Sequence, residues 1–299
     1  MTAIFFDTGS DDNARRNRLY AGDLCVLPPN SSSLELCELA RRVIAEAFAG
    51  HDPEYAQFHM PADAYARILA DLKPRFIHHP DAKRIIARFL VDVGCDPDRT
   101  HFDVPRLRTA TSTDYLSTGI AYAFHPHRDT WYSAPMCQIN WWLPVYPIGP
   151  DNAMAFHPRY WATPLRNTSD AYDYQRWNDT SRFNAVNHLK EDTRIQPKAT
   201  EPVALEPDIR IIPPVGGVLA FSGAQLHSTV PNTSGRTRFS IDFRTVDSAD
   251  AHELRGAKNA DSRCTGTSMP DYLRVSDLQH LPDALIERYM PGHPQIAPA

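Results

Sequence analysis

The chain has 299 residues, 42% of them hydrophobic, with 31 basic and 36 acidic side chains and a formal charge of −5. That length allows one enlarged domain whose core needs neither disulfides nor oligomer formation. An acidic balance with no block of like charge argues against a phosphate-binding surface, so nucleic acid is not an expected partner. Cys25, Cys37, Cys95, Cys137 and Cys264 are odd in number, scattered and without a CxxC pair. They suggest neither a disulfide framework nor a thiolate zinc site, and they fit a reducing compartment. The opening residues carry no basic leader and no run approaches 18 apolar residues, so a soluble cytoplasmic protein without a membrane partner is expected.

The first hundred residues read as a helical layer. Ser32 with Glu35 predicts a capping box, followed by Leu36, Leu39, Ala40, Val43 and Ala47 at helical spacing and a stop at Gly50. A second helix is predicted from Pro61, burying Tyr65, Ile68, Leu69 and Leu72 and ending before Pro74. A third runs from Ala82 to Val93 with Ile85, Ile86, Phe89 and Leu90 as its apolar stripe, Asp81 as its cap and Gly94 as its stop.

From about Phe102 the period changes to short segments rich in Val, Ile, Thr and aromatic residues, separated by Pro, Gly, Asn and Asp. The predicted strands are Arg106 to Thr111, Gly119 to His127, Met136 to Leu143, Ala153 to His157, Ile209 to Ile212, Gly217 to Phe221 and Arg238 to Val246. Residues 159–207 read as a long polar insertion, of the kind that often carries function as a lid. After Asp247 a connector leads to a short helix from Pro282 to Tyr289 and a Pro-rich tail. The expected architecture is one domain over 1–299: a helical layer (1–100), a β core (101–247) and a C-terminal extension (248–299). Its class is mainly β, a sandwich or barrel behind a helical layer.

Two metal ligands placed two apart project to one side of a strand. HxD triplets arise by chance in a chain with 13 histidines, and three occur: His79-Pro-Asp81, His101-Phe-Asp103 and His127-Arg-Asp129. The first straddles a helix start and the second precedes the first core strand without an evident partner; only the third closes a predicted strand in the β region. His227, after the strand Gly217-Val-Leu-Ala-Phe221, is the candidate third ligand, since two histidines and a carboxylate leave open positions on a metal. Eleven residues on, Arg238, Ser240, Asp242 and Arg244 share one face of a strand whose other face is Phe239, Ile241 and Phe243. A polar face inside so much aromatic mass fits a pocket for a carboxylated ligand, which a guanidinium holds with two charge-assisted bonds.

These residues resemble the iron(II)/2-oxoglutarate-dependent oxygenases, and within them the phytanoyl-CoA dioxygenase group. The likeness runs from about Arg106 to Val246. It is carried by His127-Arg-Asp129 with Trp131-Tyr132 after it, the strand Ile139-Asn-Trp-Trp142-Leu, the turn Asn152-Ala-Met-Ala-Phe156-His-Pro, the distal His227, and Arg238 with Ser240. It departs where Ala153 stands for a customary glycine and His157-Pro-Arg-Tyr replaces a Pro-Gly-Ser-His turn. The resemblance implies a double-stranded β-helix, a jelly-roll or cupin-like barrel. It also implies Fe(II) held by His127, Asp129 and His227, 2-oxoglutarate chelating the iron with its distal carboxylate on Arg238 and Ser240, and O2 in the last position. Hydroxylation with release of succinate and CO2 is the expected outcome, and Asp129 disfavours halogenation because it leaves no vacancy for a halide.

Gln138, Asn140, Trp142 and Tyr132 are the expected further contacts to the cosubstrate. A small, polar, anionic substrate is expected against Arg244, Arg106 and Arg108, with His125, Trp131 and Phe156 also facing it. His125 also offers an HxH pair with His127 for a cupin-type site, although no glutamate lies between His125 and Asp179. Desaturation or ring closure with the same cofactors, Lewis-acid chemistry as an isomerase or hydrolase, and a non-enzymatic binding sandwich remain open at this point.

Overall fold

The computed structural model describes residues 2–7, 9, 11–116, 119–121, 125–180 and 194–290. In chain order the elements are β1 (Ile4–Phe6), α1 (Asp12–Tyr20), β2 (Leu24–Leu27), α2 (Ser31–Phe48), α3 (Ala62–Ile77), α4 (Pro80–Asp92), β3 (Thr100–Phe102), β4 (Arg106–Ala110), β5 (Ile139–Pro144), β6 (Met154–Phe156), α5 (Tyr174–Thr180), β7 (Ile209–Arg210), β8 (Val218–Ser222), β9 (His227–Thr229), β10 (Arg238–Asp247), α6 (Ser248–Glu253), β11 (Leu273–Arg274) and α7 (Asp283–Glu287).

The strands form two sheets. The large one runs β1-β2-β8-β5-β10-β3-β11, with β4 beside β3 on the same flank of β10; the small one runs β7-β6-β9. The fold is therefore sheet-rich with a helical layer, and no continuous ladder joins the two sheets among the described residues. Ten residues long, β10 is the spine. It pairs with β5 from Ser240 to Thr245 on one side, and on the other with β4 through Arg238 to Asp242 and with β3 through Thr245 to Asp247.

Strand alternation sorts β10 as the sequence predicts. Phe239, Ile241 and Phe243 join the apolar core under α2, α3 and α4, where Phe239 meets Phe48 edge-on at 6.0 Å and Phe243 meets Phe89 at 6.1 Å. Arg238, Asp242 and Arg244 line a cavity of about 360 Å³ on the opposite face. The neighbouring β5 alternates in the same way: Trp141 stacks on Phe243 at 6.0 Å in the core, while Asn140 and Trp142 face the cavity.

Several expectations are corrected. Residues 119–121 form a single 3-10 turn, 122–124 lie outside the described residues, and His127 makes an isolated bridge to His227, so no strand runs from Gly119 to His127. The helix predicted to end before Pro74 continues to Ile77, because Leu72 and Phe76, one turn apart, are both fully buried and their packing outweighs the lost backbone donor. The box at the start of α2 is Asn30 with Ser33, each side chain bonding the other's backbone N–H; Glu35 pairs with Arg88 instead. His79, not Asp81, caps α4. Thr100 to Phe102, around the second HxD triplet, is a strand paired with both β10 and β11. The N-terminal layer also contributes strands, since β2 pairs with β8 and carries β1 on its outer edge. The predicted Pro-rich tail and part of the insertion lie in 291–299 and 181–193, outside the described residues. No helix among the described residues is long and apolar enough to cross a membrane.

Phe243 is 1% exposed between Phe89 and Trp141. Phe243→Ala is expected to lower unfolding free energy by about 3–5 kcal/mol, the usual cost of emptying a buried aromatic site, read from the urea midpoint at constant slope.

Candidate metal centre

His127 and His227 face each other as a reciprocal backbone pair, each N–H donating to the other's carbonyl at 3.0 Å. That bridge brings residues a hundred apart in sequence to a ring separation of 4.3 Å. Each imidazole places its Nδ1 against the carbonyl two residues upstream, His127 on His125 at 2.8 Å and His227 on Gln225 at 3.0 Å. The Nδ1–H donates there, which fixes the tautomer and leaves the Nε2 lone pair facing inward. Burial, with His127 beside it, pushes the His227 imidazole down to about 3, so it is neutral at physiological pH.

Asp129 completes the group. Its Oδ1 lies 3.5 Å from His127 Nε2 and 3.8 Å from His227 Nε2, and one ligand atom from each of the three residues falls within 4.8 Å of the others. Its Oδ2 is taken up by the protein: Gln138 Nε2 donates at 3.0 Å, Asn140 Nδ2 at 2.9 Å, and Arg244 Nε sits at 3.3 Å. Tyr272, buried, donates to Gln138 Oε1 at 2.7 Å and so orients the amide that holds Asp129. Burial alone would push the Asp129 carboxyl up, but the Arg244 guanidinium beside it more than offsets that and holds it well below the usual carboxylate range. Gly223 makes room for this arrangement: a Cβ there would stand 3.1 Å from Gln138 Nε2 and 3.5 Å from Asp129 Cβ.

Arg238 is the second anchor point in the cavity. Its Nη1 donates to the carbonyls of Asn152 and Ala153, and its guanidinium lies 5.6 Å from the Trp142 ring centre. Among the described residues no carboxylate comes within ion-pair distance of it; its strand neighbour Asp242 pairs with Arg108. Arg238 Nε and Ser240 Oγ are both buried and without a hydrogen-bond partner. Burial pushes the Arg238 guanidinium down to about 10, with Asp242 offsetting only part of the cost.

The structure rearranges the roles expected of other residues. Gln138 and Asn140 line the cavity, but their amides are spent on Asp129. Tyr132 lines it too, edge-on to His127 at 5.5 Å. Arg106 is paired with Asp103 at 2.5 Å, Arg108 with Asp242 at 2.6 Å, and Arg244 with both Asp103 and Asp129 at 3.3 Å. Three side chains do not face the cavity at all. Trp131 is fully buried with Tyr160, Leu165 and Leu226 and donates its indole N–H to Asp261 at 2.6 Å. Phe156 packs behind His227 against Phe221, and His125 is exposed.

Sequence reasoning missed Asp103, which takes up two cavity arginines, and Arg128, whose buried guanidinium bonds the carbonyls of Ala224, Tyr160 and Thr163 and the carboxylate of Asp261. It also missed Lys73 of α3, which lines the cavity. Part of the predicted insertion forms a wall, through Tyr172, Tyr174, Trp177, Asn178, Arg194 and Gln196.

No protein-family model matches the chain, and no curated protein matches it. Among solved structures it is similar to EvdO2 of Micromonospora carbonacea var. aurantiaca in complex with 2-oxoglutarate, at 13% identity over 80% of this chain and 92% of that one, with a TM-score of 0.44. It is also similar to the epimerase SnoN with Fe3+, alpha ketoglutarate and nogalamycin RO, at 16% identity over 79% and 85%, TM-score 0.41. A third is AviO1 of Streptomyces viridochromogenes, at 15% over 81% and 98%, TM-score 0.40. These are distant likenesses, and the functional reading rests on the side chains.

Asn140→Leu keeps the size of the side chain and removes one bond to Asp129. It is expected to weaken binding of Co(II) about 10–100-fold by calorimetry, the usual effect of losing a partner that orients a metal ligand, whereas His127→Ala abolishes binding.

Proposed function

We propose that the protein is a non-haem Fe(II)- and 2-oxoglutarate-dependent oxygenase of the phytanoyl-CoA dioxygenase-like group, built on a double-stranded β-helix, that hydroxylates a C–H bond of a small polar metabolite. The observation that carries this reading is one cavity holding both a buried face of two imidazoles and one carboxylate and, apart from it, a buried guanidinium with no carboxylate within ion-pair distance among the described residues.

The donor set suits ferrous iron. Two imidazoles and a carboxylate would hold such an ion by three protein ligands and leave positions for exchangeable ones, whereas a closed structural site would supply all of its ligands from protein. The other end suits a dicarboxylate. An unsatisfied buried donor or acceptor costs about 1–3 kcal/mol, and Arg238 Nε and Ser240 Oγ are two such atoms on the same strand face. A carboxylate reaching them would satisfy both with charge-assisted bonds. 2-Oxoglutarate has that shape, a chelating 2-oxo acid at one end and a carboxylate at the other. His127, Asp129 and His227 would hold the iron, and Arg238 and Ser240 the distal carboxylate.

When bound, iron and 2-oxoglutarate supply the oxidising power for dioxygen chemistry, with succinate and CO2 as coproducts. The chain does the rest. His227 stays neutral and Asp129 stays ionised, so neither ligand must shed a proton to bind metal. The clamp on Oδ2 leaves Oδ1 as the free donor atom of Asp129. Trp142, Phe221 and Tyr132 add apolar surface to the cavity lining, which would help keep water from the reaction.

Under air, 2-oxoglutarate is expected to yield succinate only when Fe(II) is added; absence of both Fe(II) binding and succinate would reject the assignment, and turnover that persists without oxygen would replace it with Lewis-acid chemistry. Arg238→Leu is expected to raise the KM for 2-oxoglutarate at least about tenfold, the worth of one charge-assisted pair, while leaving Fe(II) affinity unchanged. An unchanged KM removes Arg238 from its role.

A further inference from the structure

We propose that Lys73 anchors an anionic group of the primary substrate, so that the cavity takes a small organic acid, a carboxylate or a phosphate monoester, on an apolar or aromatic body. The inference rests on the oxygenase reading above, which assigns Arg238 to the cosubstrate and leaves the partner of the substrate open.

The argument is one of elimination among the cations that the helices and core strands present to the cavity. Arg106, Arg108 and Arg244, the residues on the strands best placed to meet an acid, already face Asp103, Asp242 and Asp129. A guanidinium committed to a buried aspartate recruits a second anion poorly, since the first has neutralised it. Lys73 differs. It lines the same cavity, and its ammonium donates to the backbone carbonyl of Ile120, with no carboxylate within ion-pair distance among the described residues. One carbonyl leaves two of its three N–H donors to be met.

Its place on α3 makes the position deliberate. The face of α3 that packs on the core is Tyr65, Leu69, Leu72 and Phe76, and α3 lies against β4. Lys73 and Ile77, one turn apart, are the next row round the helix, and both line the cavity. The charged groups that face Lys73 are Arg108 of β4, Asp242 of β10 and Arg194. Burial, followed by Arg108, pushes its ammonium down to about 7, so the folded chain carries an electrostatic cost that an arriving anion would relieve. The wall nearby is aromatic: Tyr132 meets Tyr172 at 5.3 Å, and Tyr172 meets Trp177 at 5.9 Å. That surface suits a flat or hydrocarbon body behind the acid.

The test is calorimetric titration under nitrogen of the Fe(II)-loaded protein with 2-oxoglutarate in excess, so that Arg238 is occupied and further anion binding reports on Lys73. The probes are benzoate, phenyl phosphate and neutral benzamide. The wild type is expected to bind one or both anions at least about tenfold more tightly than benzamide, and Lys73→Met to erase that preference while binding 2-oxoglutarate as before. Lys73→Arg is expected to keep it within about threefold, which separates loss of charge from loss of fold. The preferred probe distinguishes carboxylate from phosphate. Equal binding of anion and amide, or an anion preference that survives Lys73→Met, overturns the proposal and leaves the oxygenase reading intact. Failure of 2-oxoglutarate itself to bind overturns the reading beneath it.

Discussion

A carboxylate removed from water must be met by donors and cations or it takes up a proton, and Asp129 is met so at one of its two oxygens. Two amides and a guanidinium hold one oxygen, and two imidazoles stand before the other. Much of the surrounding chain follows from that requirement. The register of β5 against β10 pairs Asn140 with Arg244, so two of the donors come from opposed positions on neighbouring strands. The bare Cα of Gly223 admits Gln138, and Tyr272 fixes the amide from the C-terminal extension. Residues remote in sequence serve a single charge.

The large sheet does two jobs through the two faces of the same strands. One face of β10 and β5 anchors the helical layer with Phe239, Phe243 and Trp141; the other presents Arg238, Asp242, Arg244, Asn140 and Trp142 to the cavity. Because strand side chains alternate, a slip of one residue would send arginines into the apolar core and phenylalanines into the cavity. The packing of the helices therefore specifies the register of the polar face. Stability and chemistry are set by one alignment.

This explains what was legible in the sequence and what was not. The alternation Arg238-Phe-Ser-Ile-Asp-Phe-Arg244 is local, so both faces of β10 could be read directly. The pairing of His127 with His227 is not local: the expected strand that singles out the His127 triplet is not found among the described residues, while ligand chemistry and the eleven-residue spacing to Arg238 point to His227. What the sequence hid was partnership. Arg106, Arg108 and Arg244 look alike as strand arginines, and only the fold shows that each already has its aspartate, one of which, Asp103, belonged to a triplet set aside as decoy. Trp131 follows the ligand pair and so looks like a pocket residue, but the 3-10 turn at Asp129 directs its ring into the packed cluster around Leu226. Pro74 looked like a stop because local propensity does not include the burial of Phe76.

Arg128 lies between His127 and Asp129 and reaches away from them to the carbonyls of Tyr160 and Thr163. Asp261, which it meets, also accepts from Trp131 and from the backbone N–H of Leu165. The root of the long excursion that begins at residue 159 is thus riveted to the tripeptide that carries two of the three candidate metal-holding residues. Breaking that link would strand several buried donors at once, so the start of the excursion and the tripeptide His127–Asp129 hold one another in place.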